Sequence, residues 1–296
     1  MGTPAAAGTD AASETKRVVT CDLSFEVAEP AEVVVQIVAA TSAGRVVADR
    51  LAVGIDGSPS SSVSELRSGH GETMQVIQAE RGQLTVSYRA EIDVAVQPGS
   101  PGSTAAADRD RDDQSAAYER QIYLRPSRYC PSDHLVGFAV AEFGAGLHSG
   151  SGVTAITSWI RERVGYVPGS SDVHDSAEDT LLTGMGTCRD FAHLGIALCR
   201  ATGIPARFAA VYAPGLSPME FHAVFEAFVG GRWYVYDATG LAPRQSLVRI
   251  ATGRDAADTA FSAVNSGVAT LEDVVVTATV GAHLPIDDHS QDVELS

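Results

Sequence analysis

Lysine is almost missing from this 296-residue sequence: Lys16 is the single one, and the other formally cationic side chains are all arginine. The folded body therefore offers no lysine amine. Positive charge is short overall as well. The formal net charge is −16, and so acidic a chain repels phosphate backbones, which removes nucleic acid from the expected partners. Long apolar runs are absent. None approaches the roughly 20 residues that cross a bilayer, and the opening stretch MGTPAAAGTDAASETKR lacks the apolar segment of a Sec-type signal. The expectation is a cytoplasmic protein with no membrane partner. Cysteine is scarce and unpatterned: Cys21, Cys130, Cys188 and Cys199 show no CxxC or Cys/His spacing. A disulfide framework is not expected in a cytoplasmic chain of this size, so each is a small buried residue or a reactive thiol. His70, His134, His148 and His174 fall in apparent loops without ligand spacing, so neither a metal nor a cofactor is expected.

What is present suits a globular protein. Hydrophobic residues make up 45% and charged residues 20%, and the length allows one large domain or two modest ones. Residues 1–17 read as a disordered tail. Residues 18–96 are β-patterned: Leu84, Val86 and Tyr88 alternate with Thr85, Ser87 and Arg89, as in a half-buried strand. Residues 97–120, rich in Gly, Pro, Ser and Asp, read as a flexible linker or insertion. Residues 121–285 carry helices and then strands, and 286–296 form a second tail. Within that unit Ile156, Trp159, Ile160 and Val164 recur at helical spacing up to Gly165. SAEDTLLTGMGT predicts a short helix. A further helix runs from Cys188 to about Thr202, with Gly203 and Pro205 as its stop. Strands follow at ARFAAVYA, FHAVFEAFV, RWYVYDAT and EDVVVTATV. The fold class is α+β: an N-terminal β-sandwich-like domain, then a core with a helix on an antiparallel sheet.

GMGTCRDFAHLGIALC places Cys188 where a glycine-broken loop becomes an apolar helix. Thr187 is the natural N-cap. A thiol is a useful nucleophile only as thiolate, which helix N-terminal N–H groups and a nearby imidazolium stabilise. Gly184 and Gly186 leave room for a substrate carbonyl. The competing reading is a capped helix whose first-turn cysteine is merely small. The run FHAVFEAFVGGRWYVYDAT bears on the choice. Gly230–Gly231 suits a two-residue hairpin turn. That turn pairs Val229 with Arg232, Phe228 with Trp233, Glu226 with Val235 and Val224 with Asp237. His222 then lies diagonal to Asp237 on the same face, within side-chain reach. A one-residue slip would separate them. A carboxylate on imidazole fixes its tautomer and stabilises its protonated form. Cys188, His222 and Asp237 are thus the candidate catalytic set. Arg189 and Asp190 read as a local ion pair that positions the loop. His193, about 140° round the helix from Cys188, reads as structural, Cys199 as core and Tyr166 as a buried tyrosine rather than an oxyanion donor, a role expected of the Cys188 backbone N–H.

These segments resemble the transglutaminase-like superfamily in its bacterial cysteine-protease branch. CRDFAHL and the Cys…His…Asp order carry the resemblance, which extends from Tyr123 to Val280. It implies a papain-like core preceded by a β-domain, with Cys188 as nucleophile, His222 as general base and acid, and Asp237 as orienting carboxylate. Two positions depart from the pattern: Val224 stands where Trp is common and Ala238 where Pro is common, and Val224 would alter the wall near the histidine. The expected chemistry is acyl transfer through a Cys188 thioester on a peptide, protein or small amide. With water as acceptor this is a cysteine peptidase or amidase, with an amine a transglutaminase; hydrolysis is favoured. A binding or scaffold module with the same fold is the alternative from another class.

Overall fold

The computed structural model describes residues 16–59, 62–69, 71–94, 117–144, 149–281 and 283–295. Most of the expected first tail and of the expected linker lies outside the described residues. Strands β1 (Lys16–Val35), β2 (Arg45–Ile55), β3 (Ser58–Pro59), β4 (Val63–Arg67), β5 (Thr73–Ala79) and β6 (Gly82–Asp93) build the first sheet. Alternation decides its inner face. Val19, Cys21, Leu23, Phe25 and Val27 of β1, and Leu84, Val86, Tyr88, Ala90 and Ile92 of β6, are all buried. β1 is long enough to serve two layers: residues 16–27 pair with β6, and residues 31–35 pair with β5.

Among the described residues a helical stretch at 117–122 comes next, then α1 (Val136–Phe143), α2 (Gly150–Arg163), α3 (Ala177–Thr183) and α4 (Cys188–Ala201). Two short parallel strands, β7 (Gly165–Tyr166) and β8 (Met185–Gly186), link the end of α2 to the approach to α4. The second sheet is antiparallel, in the order β11 (Arg232–Tyr236), β10 (Phe221–Val229), β9 (Ala206–Tyr212), β12 (Val248–Gly253). α4 is buried without interruption from Asp190 to Arg200, as expected of a helix enclosed on all sides. Phe191, Leu194, Ile196 and Leu198 share a core with Ala223, Phe225 and Ala227 of β10. The approach of helix to sheet needs Gly195: a Cβ there would stand 2.5 Å from the Phe225 ring. At the far end of α4 the buried Arg200 guanidinium donates to the carbonyls of Arg125, Ala206 and Arg254 and to Ser127 Oγ.

The structure redraws two expected boundaries. β13 (Ser262–Val280), assigned from sequence to the 121–285 unit, pairs along the whole of β1, from Arg17↔Val280 to Val35↔Ser262. The β-domain therefore includes a strand from the end of the chain. The second expected tail is bound, not free. Asp287 takes a two-pronged ion pair from Arg244, at 2.8 and 3.0 Å. Val235 N donates to Val293 O at 2.8 Å, and Leu295 is buried in a cluster with Val224 and Val235. The two sheets also share a core, because Tyr212, Val248 and Ile250 pack into the first domain. Tyr212 Oη donates to Ile37 O at 2.6 Å, and Glu72 accepts from Thr252 N at 2.7 Å. Among the described residues, no helix is long and apolar enough to cross a membrane.

Candidate active site

Cys188 is the first residue of α4, and the local sequence accounts for its placement. Thr187 and Asp190 form a capping box, with the carboxylate of Asp190 accepting from Thr187 N at 2.7 Å and from its hydroxyl at 2.9 Å. Arg189 lies 3.1 Å from Asp190 and also holds the preceding loop through Ser171 Oγ, at 2.7 Å, and Asp172 O. The loop-positioning pair expected of Arg189 and Asp190 is thus present. Cys188 is partly exposed, whereas Cys21, Cys130 and Cys199 are buried. Burial pushes the thiols of Cys21 and Cys130 up to about 12, and that of Cys199 above its ordinary value.

Gly230 and Gly231 both have positive φ, 59° and 90°, and the hairpin register is the one their turn dictates: Val229↔Arg232, Phe228↔Trp233, Glu226↔Val235. The register carries His222 to Asp237. Imidazole Nε2 and carboxylate Oδ2 are 3.0 Å apart, and both residues are buried, at 2% and 1% exposure. Asp237 Oδ1 accepts from Thr239 N and Oγ1, at 2.8 and 2.6 Å, so each oxygen of the acid has a partner. Imidazole Nδ1 is buried and, among the described residues, has no hydrogen-bond partner.

Known proteins of similar sequence and fold identify the family. Residues 140–238 match the profile of the transglutaminase-like superfamily. A solved structure of a candidate cysteine protease from Cytophaga hutchinsonii is 36% identical, with a TM-score of 0.76 and 92% of each chain covered. The chain belongs to the transglutaminase-like superfamily. An uncharacterized protein of Mycobacterium leprae is 32% identical over 170 residues, which are 53% of this chain and 60% of that protein.

In this member of the superfamily the electrostatics of the His–Asp pair follow from its burial. Burial alone would lower the pKa of His222. The charge and hydrogen bond of Asp237, and then the Cys188 sulfur, outweigh it and push the ring up to about 10. Burial likewise disfavours ionised Asp237, but His222 and Thr239 outweigh it and hold the acid below the ordinary carboxylate range. A consequence for stability follows. Folded His222 keeps its proton to about pH 10, whereas in the unfolded chain it loses it near 6.5. Its contribution is complete below pH 6.5 and is lost as pH rises to about 10. Denaturant midpoints of wild type should therefore fall more steeply across that window than those of His222→Gln. Parallel slopes would refute the shift.

The remaining site residues divide cleanly. His193 is structural, as expected: it is fully buried, Nε2 accepts from Ala256 N at 3.1 Å, and the ring stacks on Tyr129. Tyr166 departs from its expected burial. It is 38% exposed and lies beside Gly186 in the β7–β8 pair. Partial burial, and then the charges of Cys188, Glu220 and Asp237, push its phenol up to about 12. The β7–β8 ladder was the missing signal, since two residues per strand leave no periodicity to read. Val224 is 1% exposed and packs in the cluster that includes Val235 and Leu295.

Proposed function

We propose that this chain is a thiol-dependent acyl-transfer enzyme that cleaves an amide or peptide bond through a Cys188 thioester, with water as the final acceptor. The observation that carries the reading is the 3.0 Å bond of His222 Nε2 to Asp237. It leaves Nδ1 for the sulfur of a cysteine at a helix N-terminus. The solved Cytophaga hutchinsonii structure, a candidate cysteine protease, supports the same kind of chemistry.

In the first step the Cys188 thiolate attacks the carbonyl carbon, and the C=O π pair moves onto oxygen. The Cys188 backbone N–H has no intrahelical partner at the first position of α4 and receives that oxyanion. Protonated His222 then gives its proton from Nδ1 to the leaving nitrogen as the C–N bond breaks, and the C=O re-forms as a thioester. Neutral His222 next takes a proton from water, whose oxygen attacks the thioester. Collapse of that second intermediate expels the sulfur and releases the acid. Asp237 holds the ring in the required tautomer and compensates its charge throughout.

Alkylation at neutral pH tests the nucleophile. Iodoacetamide followed by peptide mass spectrometry should label Cys188 well ahead of Cys21, Cys130 and Cys199, whose burial leaves them inert. Incubation with peptide and amine pools should trap an acyl adduct on Cys188 and release free acid. Amide products formed from the amine pool would shift the reading to a transglutaminase. Equal, slow labelling of all four cysteines with no adduct would leave a binding module.

A further inference from the structure

Asp237 lies one residue beyond β11, past the last ladder pair, Phe225↔Tyr236. No strand bond therefore fixes it against β10. Its bonds from Thr239 N and Oγ1 are local and set the carboxylate relative to its own loop, not relative to His222. A tether from elsewhere in the fold is needed, and α2 supplies one. Arg161 Nη2 donates to Asp237 O at 2.8 Å, and Nε reaches Ala238 O at 3.4 Å. The loop is shaped to receive the guanidinium: Gly240, at φ +65°, passes so close that a Cβ would stand 3.2 Å from Nη2.

We propose that Arg161 is a positioning residue that clasps the Asp237–Gly240 loop and so keeps the carboxylate on His222, and that the C-terminal segment completes this clasp through His289. This inference rests on the orienting role given to Asp237 above. Arg161 Nη2 is 3.4 Å from His289 Nε2. Burial, and then the charge of Arg161, lower the pKa of His289, so its ring is neutral and accepts. The nearby Arg244 cannot substitute, because its guanidinium is engaged by Asp287, Val235 O and Gln291 O. Beside the loop lies a small cavity of about 30 Å³, lined in part by Thr157, Ser158, Arg161, Tyr236 and Asp237. Among the described residues the buried Tyr236 hydroxyl has no hydrogen-bond partner.

The test is an NMR titration of the His222 ring in the full chain, with acyl-transfer kinetics measured alongside. The charged groups that set that ring are Asp237 and Cys188. In Arg161→Ala the His222 midpoint should fall by at least about one unit, kcat should fall ~10–100-fold, and KM should change little. Guanidinium ion added to solution should enter the enlarged cavity and restore both. Arg161→Lys keeps the charge but not the fork, and should lie between. A His222 midpoint and kcat unchanged in Arg161→Ala would overturn the proposal. If that variant does not fold, the same null result in Arg161→Lys overturns it. A midpoint that moves in a chain whose wild type turns over no amide would sink the acyl-transfer reading and leave the clasp standing. Normal turnover with neither quantity responding would do the reverse.

Discussion

Replacing His222 should cost about 10⁴- to 10⁶-fold in acyl transfer, the scale seen when the base of a nucleophile–base pair is lost. The argument rests on both nitrogens of one ring. Nε2 is committed to Asp237 at 3.0 Å, and Nδ1 is the nitrogen left to shuttle a proton between sulfur, leaving amine and water in the proposed cycle. The choice of variant matters. His222→Ala strands a carboxylate that is 1% exposed, and an unpaired buried charge destabilises by several kcal/mol. His222→Gln can keep a donor on Asp237 while removing the proton shuttle. The expected result is a folded protein whose turnover is near background and whose Cys188 still alkylates, more slowly. A His222→Gln protein within tenfold of wild type would end the assignment of His222 as base and acid.

The second large effect concerns stability. Glu226 is fully buried on β10, between two arginines: Arg207 Nε at 2.7 Å from β9 and Arg249 Nη2 at 2.7 Å from β12. Arg207 also lies 4.3 Å from the centre of the Trp233 ring, and Arg249 donates to Leu295 O at 3.1 Å. One carboxylate therefore joins three strands and the C-terminal segment. Glu226→Gln conserves shape but leaves two nearly buried guanidiniums without a counter-charge, and should destabilise by about 3–5 kcal/mol. Replacing all three groups by apolar residues of similar volume should recover most of that loss, because a buried ion cluster is weakly stabilising compared with a well-packed apolar core. Denaturant unfolding measures both. A Glu226→Gln cost under about 1 kcal/mol would mean that water reaches the cluster.

What the sequence revealed tracks the range of the interactions involved. The pairing of His222 with Asp237 was legible because a Gly-Gly turn counts residues outward from itself, and only fifteen positions separate the two. The capping box at Thr187 and Asp190 was legible for the same reason, at least as an N-cap. The partner of β13 was not: EDVVVTATV announces a strand, but alternation carries no address, and its mate lies at the other end of the chain. The bound C-terminus was hidden because Asp287, Val293 and Leu295 are anchored by groups far away in sequence. Arg161 left no trace either. It acts on backbone carbonyls, which every residue possesses, so no side-chain motif marks its target.

The pairing of β1 with β13 has a consequence for biosynthesis. Among the described strands the earliest in sequence, β1, pairs along its length with the latest, β13. One side of β1 therefore stays unpaired during synthesis until residues 262–280 have been made. Closing so long a loop slows assembly, and a stop codon before residue 262 is expected to yield a product that clumps rather than a shortened fold.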